Sequence, residues 1–327
     1  MATRLALVLV PKPGDEYRDD FAAIDQYIRA MDADIKVRIV HEAIPALNLA
    51  DEFRDYRTLT VSFRHGVPFP VNGSAFACRY IPKIEQVRCY AAAAIPFPRS
   101  RIFEWNLKLD PALWGPYVVL KPLRPGTMSS GMVHLLPTPM IERLSPQQFA
   151  PGHPIHHGPM LVQSFVDTGE RPTCYRVLTL LGEPLYAMAI MLKQRRSDLN
   201  APLRNILSAA VASNSGPRDR IMTKDHEILE FARRMSLALP DVPLQGLDIA
   251  REHKTGRLFA IESNPGGNTW HFSSKAGAKM RQEMGNGREI LLSQFGALEI
   301  AASALVRAAT CVDPGSQSGS ASTLMRM

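Results

Sequence analysis

Residues Gly246–Asn268 read GLDIAREHKTGRLFAIESNPGGN. Two apolar segments, Leu244–Ala250 and Leu258–Ile261, flank the polar loop Arg251–Arg257, which predicts a pair of strands joined by a turn. Each segment carries a carboxylate inside an apolar run: Leu247-Asp248-Ile249 and Ile261-Glu262-Ser263-Asn264. Side chains two apart in a strand share a face, so Glu262 and Asn264 point the same way. Asp248 joins that face if the pairing matches residues whose numbers sum to an even value. The result is two carboxylates and an amide oxygen, a hard-oxygen set suited to Mg²⁺ with phosphates and water. Exposed strand positions would look the same, and the hairpin alone does not decide.

Working outward, Tyr117–Lys121 predicts a strand that ends in a lysine and stops at Pro122. A charge closing an apolar strand calls for an anion. The loop Arg124–Gly131 follows, with Gly126, Ser129, Ser130 and Gly131, and can aim N–H groups and hydroxyls at phosphate oxygens. It is not a Walker loop, because no G-x-x-x-x-G-K-[ST] occurs. Leu161–Val166 predicts another strand. Its Gln163, between apolar neighbours, can offer an amide to an adenine edge, and Asp167 or Glu170 can accept from ribose hydroxyls. Taken alone, that segment reads better as an ordinary strand and turn.

The N-terminal stretch opens with Leu5–Val10, a buried strand. Phe21, Ile24, Tyr27, Ile28 and Met31 follow at helical spacing, then Val37–Val40 and Thr58–Phe63. This β-α-β start predicts a parallel sheet. Asn72-Gly73-Ser74 predicts a turn, and a helix runs from Lys83 to about Ala94, broken by Ile95-Pro96-Phe97-Pro98. Tyr175–Leu181 and Leu185–Met191 predict a hairpin around Gly182-Glu183-Pro184. Ile228, Leu229, Ala232, Met235 and Leu239 share one helical face. A last helix is expected over Ser274–Arg307, then a Gly/Ser-rich disordered tail.

The chain has 327 residues, enough for about two or three compact units. With 46% hydrophobic and 21% charged residues it has the balance of a globular enzyme, which argues against disorder or a coiled coil. The net charge of +7 is scattered, without the aromatic-interleaved stripe of a nucleic-acid module, so a solvated basic surface or a phosphate ligand fits better. Cys78, Cys89, Cys174 and Cys311 lie far apart, neither a zinc pattern nor a disulfide scaffold. With no leader pattern in the first residues, this favours the cytoplasm and no membrane partner. His153, His156 and His157 fall in a Pro/Gly-rich segment and read as a surface loop rather than a metal site.

Taken in order, these pieces resemble the ATP-grasp superfamily of D-alanine–D-alanine ligase, glutathione synthetase and ribosomal-protein glutamate ligases, over roughly Lys83 to Ser274. Lys83 followed by Ile95-Pro96-Phe97-Pro98, the strand Val118-Val119-Leu120-Lys121-Pro122, the loop Ser129-Ser130-Gly131-Met132, the hinge Leu161–Val166 and the set Asp248, Glu262 and Asn264 occur in that family's order. The resemblance implies an α/β (α+β) ATP-grasp fold with a Rossmann-like N-terminal domain over residues 1–80. Subdomains would follow over 81–166 and 167–311, with a tail at 312–327. It implies an ATP-dependent ligase joining a small-molecule or peptide carboxylate to an amine or thiol through an acyl phosphate. Its alternatives are a small-molecule kinase and a nucleotide-binding protein without turnover.

The same resemblance implies that Lys83, Lys121, Ser129, Ser130 and Gly131 hold phosphates, that Gln163, Phe165, Val166 and Glu170 hold the nucleoside, and that Asp248, Glu262 and Asn264 bind Mg²⁺, with Mn²⁺ as a substitute. It allows a homodimer and implies no nucleic acid. Several relatives carry an arginine two residues before the metal aspartate, where Gly246 stands here, so Arg176 and Arg195 are the candidates for that charge. Asn268, Trp270 and His271, after two glycines, are candidate second-substrate contacts, the other reading being a helix-start turn with Trp270 in the core.

Overall fold

The computed structural model describes residues 4–41, 51–65, 73–123, 132–199 and 216–311. Among these residues it is a mixed α/β structure with three sheets. The first sheet is parallel and holds β1 (Arg4–Val10), β2 (Lys36–Ile39), β3 (Tyr56–His65) and β4 (Gly73–Cys78), in the order β2-β1-β3-β4. β1 reads as an unbroken apolar run because Ala6 to Val10 are all buried. Helix Arg18–Met31 turns Phe21, Ile24 and Ile28 into the core. Gly73 opens a strand where the sequence predicts a turn. A Cβ there would sit 1.9 Å from the Thr58 carbonyl oxygen, and only glycine admits so close an approach.

The second sheet is antiparallel, β5-β8-β6-β7, from β5 (Ser100–Ile102), β6 (Tyr117–Pro122), β7 (His134–Pro137) and β8 (Met160–Ser164). β5 and β7 are too short to leave a periodic signal. This sheet has its own core, built on Val118, Leu120, Leu136, Ile141, Met160 and Val162. The Arg124–Gly131 loop lies outside the described residues, as do Asn72 and the 312–327 tail.

The third sheet is antiparallel with five strands, β11-β10-β9-β12-β13. They are β9 (Thr173–Leu180), β10 (Glu183–Leu192), β11 (Arg218–Met222), β12 (Leu244–Arg251) and β13 (Leu258–Pro265). The β9–β10 hairpin turns at Leu181 and Gly182, with φ of 50° and 88°, one position earlier than the sequence predicts. Two left-handed residues match the twist of a tight hairpin, and Glu183 already belongs to β10. Arg218-Asp219-Arg220, a charge cluster in the sequence, lies in the edge strand β11.

Helix His226–Leu237 is capped by Asp225, whose Oδ1 accepts from the N–H groups of Glu227 and Ile228 at 3.0 and 3.3 Å. The single helix expected over Ser274–Arg307 is instead a short 3₁₀ turn, Lys275–Gly277, and three helices: Ala278–Glu283, Gly287–Ser293 and Ala297–Cys311. Gly285 and Gly296, at φ of 71° and 74°, end the first two helical pieces. Among the described residues no single helix is long and apolar enough to cross a membrane. The four cysteines are free. One core runs through the first and third sheets and helix Ala297–Cys311, taking in Leu9, Phe63, Val177, Leu247, Trp270 and Leu305.

Candidate functional site

β12 and β13 pair with Asp248 opposite Glu262 and Gly246 opposite Asn264, so the three oxygen-bearing side chains share a face. A bulge follows between Asp248 and Ile249, a common device for re-aiming side chains beside a site. On the other side of β12, Arg176 of β9 stands opposite Asp248. Arg176, Asp248 and Glu262 therefore form a row across three strands. Behind them the opposite face is locked by buried amides and hydroxyls. Ser263 Oγ donates to Gln245 Oε1 at 2.9 Å, and Gln245 Nε2 donates to the carbonyls of Ser236, Leu239 and Val242 at 3.1, 3.2 and 3.0 Å. A fully paired buried network of this kind holds the strand register under the site.

The row opens into a cavity of about 170 Å³ between the second and third sheets. Lys83, Lys121, Arg176, Asp248 and Glu262 supply its charge, and Val119, Val133, Phe165, Val166, Ala250 and Ile261 its apolar walls. Lys83, first residue of helix Lys83–Ala92, places its Nζ 3.5 Å from Glu262 Oε2. Lys121 is buried and donates to Gln163 Oε1 at 2.8 Å. Gln163 Nε2 donates in turn to Ser100 Oγ at 2.9 Å, and Ser100 to the Pro98 carbonyl at 2.7 Å. Burial, then the neighbouring charge of Lys83, pushes the Lys121 ammonium down to about 8, against the pull of Glu262 and Asp248.

Arg176 forks onto Asp248, Nε to Oδ1 at 2.6 Å and Nη2 to Oδ2 at 2.9 Å. Burial opposes the guanidinium charge, but Asp248 outweighs it and holds Arg176 well above the ordinary arginine value. Asn264 Nδ2 also donates to Asp248 Oδ2, at 3.2 Å. Gly246 has no room for the arginine that relatives are expected to carry: a Cβ there would lie 2.9 Å from Thr269 Cγ2. The guanidinium beside Asp248 belongs to Arg176 of the neighbouring strand β9.

Other sequence candidates fall elsewhere. Arg195 and Glu170 pair with each other at 2.9 Å on the surface, with side chains 76% and 74% exposed, and do not line the cavity. The neighbouring arginine, Arg196, is the buried one. It donates to Asp167 Oδ1 at 2.7 Å and lies 5.3 Å from the Phe165 ring centroid, so it braces the hinge. Both ends of the Gln163 amide are taken up by Lys121 and Ser100, not offered to a base edge. The Phe165 N–H donates to the Tyr117 carbonyl at 3.1 Å. Trp270 is core, fully buried against Phe21, Phe63 and Phe272, with its Nε1 donating to Asp20 Oδ2 at 2.8 Å. His271 Nδ1 lies 2.6 Å from Tyr186 Oη, and burial with nearby Arg176 pushes its pKa down to about 3. Asn268 is exposed and accepts from Lys12 at the carboxyl end of β1. Ser129, Ser130 and Gly131 lie outside the described residues.

The oxygen set suits a divalent cation in part. Among the described residues Glu262 meets an ammonium at 3.5 Å and no other charged partner, and Asn264 has an amide oxygen to give. Asp248 is already held by Arg176 and Asn264. Among the described residues no group of three His, Cys, Asp or Glu side chains is placed to hold a metal by itself. Magnesium in general takes much of its shell from phosphate oxygens and water. His134 and His153 meet Nε2 to Nε2 at 2.9 Å, and His153 Nδ1 caps the turn at Ile155, a structural role.

Thr168, Thr173 and Cys174 also line the cavity and were not singled out in the sequence. Cys174 stands two before Arg176 on β9, so strand periodicity carries its signal.

No family model matches the chain, and no curated protein does. Among solved structures, the chain is similar to D-alanine–D-alanine ligase from Bacillus anthracis at 12% identity, covering 94% of this chain and 99% of that one, with a TM-score of 0.45. It is similar to the ATP-grasp ligase PsnB complexed with minimal precursor at 13% identity, over 94% and 99%, with a TM-score of 0.45. It is similar to the macrocyclase MdnC bound with precursor peptide MdnA, from Microcystis aeruginosa MRC, at 12%, over 92% and 99%, again at 0.45. At such values the reading of function rests on the site's own residues.

Proposed function

We propose that this chain is an ATP-grasp enzyme that spends ATP to join a carboxylate to an amine or thiol through an acyl phosphate. The observation that carries the reading is one cavity where Lys83, Lys121 and Arg176 meet Asp248 and Glu262 against apolar walls. Three cations and two carboxylates leave an excess positive charge, which favours a polyphosphate. The order of motifs along the chain supports the same reading. Roughly 300–1,000 Å³ is usual for a small-molecule cleft, so a nucleotide would need this one to widen.

In this reading the base lies between Val119, Phe165, Val166 and Ile261. Lys121 and Lys83 bind the phosphates, and the Gln163–Ser100–Pro98 chain orients Lys121. Magnesium would neutralise phosphate charge when bound, and Glu262, Asn264 and Asp248 are the residues that would hold it. The substrate carboxylate oxygen attacks the γ-phosphorus, the bond to the β-phosphate oxygen breaks, and ADP leaves with the electron pair. The acceptor nitrogen or sulfur then attacks the acyl carbon. The carbon–oxygen bond to phosphate breaks, and the acceptor loses its proton. Positioning and charge neutralisation do most of the work in such transfers. Asn268 and Lys12 belong to the acceptor side, at the carboxyl ends of a parallel sheet, where ligands of open α/β sheets bind.

Hydroxylamine tests the reading. Offered with ATP, Mg²⁺ and pools of carboxylic acids, it replaces the acceptor, and a ligase yields a hydroxamate together with ADP. ADP release with a stable phosphate ester and no hydroxamate identifies a kinase. Neither product identifies a binder.

A further inference from the structure

Asp248 is the most heavily engaged carboxylate of the cavity. Its Oδ1 accepts from Arg176 Nε at 2.6 Å and lies 3.8 Å from Cys174 Sγ. Its Oδ2 accepts from Arg176 Nη2 at 2.9 Å and Asn264 Nδ2 at 3.2 Å. An ionised carboxylate offers about four lone-pair sites, and four groups address them here. Glu262, directly across the sheet, has among the described residues a single ammonium at 3.5 Å. The two carboxylates that look equivalent in the sequence are thus in opposite states: one saturated by a fork, the other with capacity to spare.

The fork is a strong arrangement, because two parallel charge-assisted bonds fix both partners. It also has a rival. The Arg176 guanidinium lines the same cavity as Lys83 and Lys121, and the geometry that suits a carboxylate suits a phosphate equally well. Asp248 is only 16% exposed, so it needs a cationic partner at all times. It can give up Arg176 only if another cation arrives.

We propose that Arg176 is a place-holder for the divalent cation: it occupies Asp248 until nucleotide phosphates draw the guanidinium away, so the cation reaches Asp248 only together with nucleotide. The proposal rests on the nucleotide reading of the cavity. Charges balance in the exchange, since the carboxylate trades a guanidinium for a metal as the guanidinium trades a carboxylate for phosphate. The device keeps the metal off the protein when there are no phosphates to hold, and makes Arg176 a positioning residue whose second place is on the phosphates.

The test is Mn²⁺ binding to the full chain, followed by calorimetry and by the loss of the free Mn²⁺ resonance signal, with and without β,γ-imido-ATP, each read against the same Mn²⁺ and analogue without protein. Wild type is expected to bind Mn²⁺ appreciably only with the analogue. Arg176→Met should bind Mn²⁺ without nucleotide more tightly than wild type, by about tenfold or more, because the competitor for Asp248 is gone. Arg176→Lys keeps the buried charge but not the fork, and should move the same way by a smaller factor. It covers the case in which Arg176→Met does not fold. Glu262→Gln should weaken Mn²⁺ binding to the chain both with and without the analogue. Nucleotide-free Mn²⁺ affinity unchanged in both arginine variants overturns the place-holder while leaving the cavity reading intact. Wild-type affinity for Mn²⁺ that is equal with and without the analogue does the same. No analogue binding by wild type at any Mn²⁺ concentration overturns both.

Discussion

Gln86 holds the peptide unit of Ser263 at both ends: its Oε1 accepts from the Ser263 N–H at 2.8 Å, and its Nε2 donates to the Ser263 carbonyl at 3.0 Å. The amide completes β13 as an extra strand would, and it ties helix Lys83–Ala92 to the segment between Glu262 and Asn264. Lys83 stands one turn before Gln86 on that helix, so its 3.5 Å approach to Glu262 depends on this clamp. Gln86→Ala leaves both backbone groups buried and unpaired, at about 1–3 kcal/mol each. A urea titration should show the midpoint fall with the slope unchanged.

Lys121 predicts a pH effect of definite sign. Its folded-state pKa, about 8, lies below the ordinary 10.5. Between those values the unfolded chain keeps a proton that the folded chain has shed, so Lys121 adds stability as pH rises through that window, and nothing further below it. Phosphate oxygens would restore the proton. At about pH 8.5, binding of an ATP analogue should take up roughly half a proton or more. Calorimetry in buffers of different ionisation enthalpy measures the uptake, and Lys121→Met should lose it.

Gly246→Ala should destabilise the fold. The added Cβ meets Thr269 Cγ2 at 2.9 Å, and Thr269 cannot swing aside because its hydroxyl donates to the Gly266 carbonyl at 2.7 Å. Overpacking of this kind costs about 1–3 kcal/mol. The paired variant Gly246→Ala with Thr269→Ser removes the offending methyl, and its thermal midpoint should recover most of the loss.

Glu262→Gln keeps the shape and removes the charge. ADP release at saturating substrate should fall by about 10²–10³-fold, the usual scale for one electrostatic group at a reacting phosphate or carbonyl. Stability should change by less than about 1 kcal/mol, because the ion pair with Lys83 is partly exposed. Activity near the wild-type level would remove Glu262 from the site.

The alignment of Asp248 with Glu262 is legible in the sequence because each carboxylate interrupts an apolar strand, and period-two reading carries the face. The bulge after Asp248 leaves that alignment untouched, since the slip comes one residue too late to turn Asp248 away. The partner of Asp248 is less legible. Arg176 lies 72 positions earlier and is joined to it by sheet pairing, which no local pattern encodes. Arg195 and Arg196 are adjacent in the chain and opposite in fate, a matter of which way one short loop turns them. Gln163 reads as a base contact because it stands among apolar neighbours, and tertiary packing gives its amide to Lys121 instead. The broken C-terminal helix was within reach of the sequence: Gly285 and Gly296 fall where the helical pieces end.

The core of the second sheet, Val118, Leu120, Leu136, Ile141, Met160 and Val162, is separate from the core that unites the first and third sheets. Cooperative units of unfolding follow contiguous packing. Native-state amide exchange should therefore resolve into two classes by opening free energy. Amides of β6 and β8 should open together, while those of β1, β9 and β12 should exchange only through global unfolding, although β1 and β12 lie far apart in the chain. A ligand gripping Lys121 from one class and Glu262 from the other would fuse them into a single unit.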